Sequence, residues 1–264
     1  YGLQLLVEGY LRGEYVRVIG SPFDQAQNPG FLLLYNRPFI PRGRLRHVAF
    51  AVADMLVWGF TAGLLFSLTG NAQENFEEEM VRAFGLWEQG KSEEAAEQFE
   101  EIAAAGSGNW LPYYYASYVK IVTSFEGNDP AAKKESLEEA QVLLDEAAQI
   151  TGEEVEIQLL QAMLHMAYVA SDPMTHGGQL SPVIQHILEK VAEKEPENPR
   201  LALIRVEWNM GSAGFFGEDP ARYCGDLEAS LKLFEEEKPI ETFAPDWGEE
   251  RARYLLDSTC AKRE

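Results

Sequence analysis

From position 74 onward, apolar residues recur at helical spacing and nowhere alternate as they would along half-buried strands. Met80, Phe84 and Trp87 stand at i, i+4, i+7. Val155, Leu159, Ala162 and Met166 repeat the pattern, and Leu137, Gln141, Leu144 and Ala148 follow it in part. Glu is abundant and β-branched residues are sparse, as helix propensity favours. The pattern predicts helices near 74–89, 92–105, 109–125, 130–149, 153–170, 181–195, 199–210, 220–237 and 247–260. Asp129-Pro130 and Asp219-Pro220 supply start signals: a capping carboxylate, then a proline at the first helical position, where its missing N–H costs nothing.

Self-comparison finds a repeat. Aligned without gaps, residues 127–147 and 217–237 agree at 8 of 21 positions. Intermediate units fall between them: Ala95, Phe99 and Ile102, then Ala140, Leu144 and Ala147, then Ile184, Leu188 and Val191, then Ser230 and Phe234. The steps are 45, 44 and 46 residues. A helix pair of that length cannot bury its apolar stripe alone, so pairs are expected to stack.

The stretch Leu86-Trp87-Glu-Gln-Gly90 through Ala95, Phe99 and Ala103 resembles the second half of a tetratricopeptide repeat. That family carries an aromatic helix end, a turn glycine, then Ala and Phe four apart. Glu195-Pro196-Glu-Asn-Pro199 resembles a junction between such repeats. The usual period is about 34 residues, so each unit here is longer. The resemblance implies an all-α solenoid of stacked antiparallel helix pairs, about 45 residues per unit, over most of 74–237. Phe216-Gly217-Glu218-Asp219 and Pro245-Asp-Trp247-Gly248 resemble a loop and an ending of exported Bacteroidetes repeat proteins. No activity comes with that resemblance.

Charge divides the chain. Residues 1–72 hold six Lys+Arg and four Asp+Glu, whereas 73–264 hold sixteen and thirty-nine, a charge of −23. Arg42, Arg44 and Arg46 precede an apolar run, 48–69, whose only charge is Asp54; a small-residue exit follows at Gly70-Asn71-Ala72. This is the layout of a secretory signal peptide cleaved after Ala72. A retained membrane helix is the alternative, and only then would the protein touch a membrane. Residues 1–46, rich in proline punctuation and preceding the first methionine, Met55, read as a non-native or disordered extension. The expected organisation is therefore 1–46 extension, 47–72 leader or anchor, and 73–264 helical repeat domain, exported to the periplasm or beyond the cell.

Composition excludes several functions. The acidic domain lacks the cationic field a nucleic-acid binder needs. Two cysteines cannot build a cysteine-rich zinc site. His47, His165, His176 and His186 form no i, i+4 pair, so no metal site is expected. No nucleophile elbow or phosphate-binding glycine loop occurs; Gly211-Ser212-Ala213-Gly214 reads as the end of a helix. No catalytic residue and no cofactor is expected. Export would permit Cys224 and Cys260 to form a disulfide, although two separate buried thiols fit equally. Trp110, Tyr113, Tyr114, Tyr115 and Tyr118 cannot all share one helix face. Some must pack in the core, and the others could line a concave groove. The expectation is a non-enzymatic scaffold for a protein or peptide partner, with a small-molecule or glycan binder using these aromatics as the alternative.

Overall fold

The computed structural model describes residues 75–106, 108–126, 129–152, 154–238 and 241–260. The extension 1–46, the leader or anchor 47–72 and His47 lie outside them. Helix α1 covers 75–88. It is followed by α2 Ser92–Ala104, α3 Leu111–Glu126, α4 Pro130–Thr151, α5 Val155–Ser171, α6 Pro173–Lys194 and α7 Pro199–Phe215. A 3₁₀ turn, Pro220–Tyr223, leads into α8 Cys224–Glu236, and α9 Glu249–Leu255 continues as a wider π turn to Cys260. No strand occurs among the described residues.

Local chemistry sets the boundaries. Asp129 accepts a hydrogen bond from Ala131 N–H at 2.9 Å, and Asp219 accepts one from Ala221 N–H at 3.0 Å. Each satisfies a donor that the first helical turn would leave unpaired. Between α1 and α2 the chain reverses at Gly90, whose φ of 74° suits a residue without a Cβ. There Gly90 N–H donates to Trp87 O at 2.9 Å and Lys91 N–H to Leu86 O at 3.0 Å, closing the helix end.

Short connections make sequence neighbours antiparallel, and each helix from α2 to α8 packs on the next. In addition α5 touches both α3 and α7, so these three stand side by side, running the same way. The recurrent positions explain the packing. Ala95, Ala140, Ile184 and Ser230 are all fully buried, on α2, α4, α6 and α8 in turn. So are their companions Phe99, Leu144, Leu188 and Phe234, at 7% exposure or less. Each large side chain removed from water contributes about 1.5–3 kcal/mol before chain entropy is charged against it.

The apolar interior has two parts. A large core runs from α1 into α7 and includes Phe99, Tyr114, Ile121, Leu160, Ile184 and Ile204. A smaller one lies between α7, α8 and α9: Leu203, Val206, Met210, Leu227, Phe234 and Ala252. Helix α7 serves both, because residues 201 and 204 face one side while 203, 206 and 210 face the other. Across the smaller core Cys224 and Cys260 are joined by a disulfide, their Cα atoms 5.9 Å apart.

Two elements differ from the sequence expectation. Helix α6 begins at Pro173, not near 181. Asp172 caps it, accepting from Thr175 N–H at 3.1 Å and from its hydroxyl at 2.6 Å. Gly177 and Gly178, N-terminal to the expected start, and Pro182 all lie inside the helix. Likewise Gly211–Gly214 does not end α7. The helix continues to Phe215, with Ala213 buried, and closes when Glu218 N–H reaches Ala213 O at 2.8 Å.

Candidate functional site

Because α3, α5 and α7 run parallel, their N-terminal ends meet at one edge of the array. Each end is fixed by its own sequence. Asn109 Oδ1 accepts from Leu111 N–H at 2.9 Å. Asn198 Oδ1 accepts from Arg200 N–H at 3.0 Å and Leu201 N–H at 3.1 Å. The amide nitrogen of Asn198 then donates to Glu156 and Glu195, both at 3.0 Å, so this buried cap is fully satisfied.

Behind that edge lies a buried ionic network. Arg200, 5% exposed, donates through Nε to both oxygens of Glu156, at 2.9 and 2.8 Å. Its two terminal nitrogens turn the other way, onto Glu237 at the end of α8, Nη1 at 2.9 Å and Nη2 closer still. Tyr114 OH donates to Glu156 at 3.4 Å and accepts from Trp247 Nε1 at 2.7 Å. One guanidinium thus links α5, α7 and α8, and one phenol extends the chain to α3 and the C-terminal segment. Burial pushes the Glu156 carboxyl above its ordinary range, outweighing the opposing pull of Arg200 and the hydrogen bond from Asn198. Burial alone would lower the Arg200 pKa, but the hydrogen bonds of Glu237 and the charge of Glu156 turn the balance upward.

In front of the network opens a cleft of about 760 Å³. Trp110, Leu111, Pro199, Leu233 and Pro245 form its apolar surface. Glu154, Glu195, Glu197, Glu236, Glu241 and Asp246 join Glu156 and Glu237, so eight carboxylates face Arg200 and Lys238. Part of this charge is locally sensible: Glu154 and Glu156 sit at the N-terminus of α5, where the helix dipole favours anions.

The aromatic residues singled out from sequence take several places. Tyr114 and Tyr115 are buried in the large core. Tyr113 is half-buried and donates to Ala103 O at 3.3 Å. Tyr118 stacks on Trp247, ring centres 4.9 Å apart. Tyr115 OH donates to Phe243 O at 3.0 Å, and the Phe243 ring stacks on Phe84 at 5.9 Å. Burial raises the pKa of Tyr114, Tyr115 and Tyr118. Only Trp110 of the five lines the cleft. Tyr114, Tyr115 and Tyr118 hold the segment Phe243–Trp247 down, and that segment supplies a wall of the cleft. Gly248 completes the attachment: a Cβ there would lie 2.5 Å from the Phe234 ring.

Among the histidines, His165 is half-buried and its pKa is lowered by burial. It lies beside the Gln141–Gln161 amide pair, whose reciprocal bonds are 2.9 and 2.8 Å; Gln161 Nε2 is 3.3 Å from His165 Nε2. His186 is exposed, and among the described residues no cluster of His, Cys, Asp or Glu is arranged to hold a metal ion. The residues missed from sequence are Glu156, Asn198, Arg200 and Glu237. A faint signal existed for two of them: Glu156 and Arg200 are single charges flanked directly by apolar residues of a core stripe.

No family model matches the chain, and no curated protein matches it in sequence. Among solved structures it is similar to the HusA haemophore from Porphyromonas gingivalis. The TM-score is 0.61 at 24% identity, over 72% of this chain and 94% of that one. The likeness is one of fold.

Proposed function

We propose that the described region is a non-catalytic binding module, exported from the cell, built as a tetratricopeptide-like stack of helix pairs. The observation that carries the reading is the cleft of about 760 Å³ at the start of α3, α5 and α7. Its size is that of a site for a small molecule or a short peptide segment. Its floor is a fully hydrogen-bonded network and its walls come from five separate stretches of chain, so it is built in advance of any ligand. The residues around it offer charge and apolar contact but no nucleophile paired with a base. No helix among the described residues is long and apolar enough to cross a membrane.

The test is occupancy. A fluorophore on Glu197→Cys, at the cleft, is compared with one on Val142→Cys, exposed on α4. The native cysteines are bonded to each other, so only the new thiol reacts. An envelope extract is split into dialysable and non-dialysable fractions. An emission change at 197 and not at 142 supports the cleft. The fraction responsible decides between a small molecule and the protein or peptide partner expected of a scaffold. No change with either fraction overturns the reading.

A second reading is carriage of haem, favoured by the fold shared with a haemophore. Haemin titration followed by visible absorbance tests it; saturation at one equivalent is the expected result, and an unchanged spectrum rejects it. The eight carboxylates of the cleft oppose the propionates of haem, so under this reading haem binds elsewhere or with its propionates in solvent.

A further inference from the structure

Resting on the proposal that the cleft is the ligand seat, we infer that its ligand is an organic cation, bearing ammonium or guanidinium groups on an apolar frame. The argument starts from the two cations that could have neutralised the lining. Arg200 is spent: its Nε serves Glu156 and both terminal nitrogens serve Glu237. Lys238 alone stands against the remaining six carboxylates. Glu197, Glu236 and Glu241 are exposed and make no ion pair among the described residues.

Their placement is not what helix stability asks for. Glu236 is the last residue of α8, where the dipole penalises an anion, and it follows Glu235 and precedes Glu237. Glu237 is held by Arg200 and Glu235 lies 3.7 Å from Arg253, whereas Glu236 makes no ion pair among the described residues and adds repulsion to the helix end. Charge held against local stability, around a concavity partly lined by apolar side chains, fits a complementary ligand better than a solvated face. The apolar lining sets the second half of the specificity. Trp110 brings an aromatic ring to the lining, which suits a cation, and Leu111, Pro199, Leu233 and Pro245 suit methylene or ring carbon. A hydrated metal ion would waste that surface, whereas a polyamine or a lysine- or arginine-rich peptide would use it.

The experiment titrates the full chain with spermidine, with a lysine-rich octapeptide and with a glutamate-rich octapeptide, by calorimetry and with the 197 fluorophore. Two variants accompany it. Glu197→Gln/Glu236→Gln/Glu241→Gln removes three charges from the cleft. Glu93→Gln/Glu146→Gln/Glu228→Gln removes three exposed charges elsewhere, leaving the same net charge. The expected result is saturable binding of a cation at one equivalent, weakening with salt, with no binding of the acidic peptide. The cleft variant should bind about tenfold more weakly, and the control variant should bind as the native chain does. Spermidine or the peptide as the tighter ligand assigns the source. Equal losses in both variants would show a general field effect and overturn the inference. So would an absence of cation binding while an extract fraction still moves the fluorophore, an outcome that leaves the cleft intact as a ligand seat. Silence in both assays would remove the seat itself.

Discussion

The two cores solve the same problem with different means. The large core gathers more than two dozen buried residues from α1 to α7 and carries no covalent link. The small core has six, from α7, α8 and α9, and is closed by Cys224–Cys260. Neighbours explain the contrast. Helix α5 packs against α3, α4, α6 and α7, whereas α9 packs chiefly on α8 and on the turn that continues it. Its core is too small to hold a seven-residue helix by packing, so the final turn is stapled. The cleft lies where the two regions meet, and Arg200 is the residue that joins them.

Arg200→Met is the change expected to cost most. It strands two carboxylates, one of them deeply buried, and should lower stability by about 3–5 kcal/mol in urea unfolding. Next is loss of the disulfide. In the Cys224→Ser/Cys260→Ser protein, about 3–4 kcal/mol should disappear by the chain-entropy estimate. Hydrogen exchange should show where: amides of α8 and α9 lose protection while those of α3 to α5 keep it. Equal loss in both regions would show that the cores are not separable.

Gly248→Ala tests the attachment between them at a single atom. The added methyl meets Phe234 and needs a backbone angle that alanine avoids. About 1–3 kcal/mol should be lost, with Trp247 fluorescence shifting towards that of exposed indole. Trp247→Phe keeps the stacking on Tyr118 but removes the donor to Tyr114, and should cost about 1 kcal/mol by thermal unfolding. The smallest effect is the pH response of the large core through His165. Burial lowers its folded pKa below 6.5, so the stability it contributes is complete above that value. As pH falls, the unfolded chain takes up the proton first, and that stability is lost. His165→Gln should therefore show a shallower decline in urea midpoint between about pH 7 and pH 5.

Much of the fold was legible. Asp129-Pro130 and Asp219-Pro220 marked true helix starts, and the 45-residue register fell on residues that are buried without exception. The miss at α6 is instructive, because Asp172-Pro173 carries the same start signal. The expected start near 181 passed over it, and packing of Ile184, Leu188 and Val191 carries the helix through Gly177, Gly178 and Pro182, residues of poor intrinsic propensity. The candidate site was less legible. Its aromatic neighbourhood stood out, and the structure adds that Tyr114 and Tyr115 are buried and, with Tyr118, contact the segment Phe243–Trp247.

The sequence by itself determined the helices, their pairing and the register of the buried stripes, because caps and apolar spacing act within about twenty residues of chain. It also determined the acidity of the region. Only the tertiary structure decided that Glu156, Arg200 and Glu237 meet, that Trp247 reaches back to Tyr114, and that three helix ends enclose a cleft. Those contacts join residues 37 to 133 positions apart. Local pattern carries no record of such distances; they follow from how the helices pack on one another and from where the C-terminal segment is tied down.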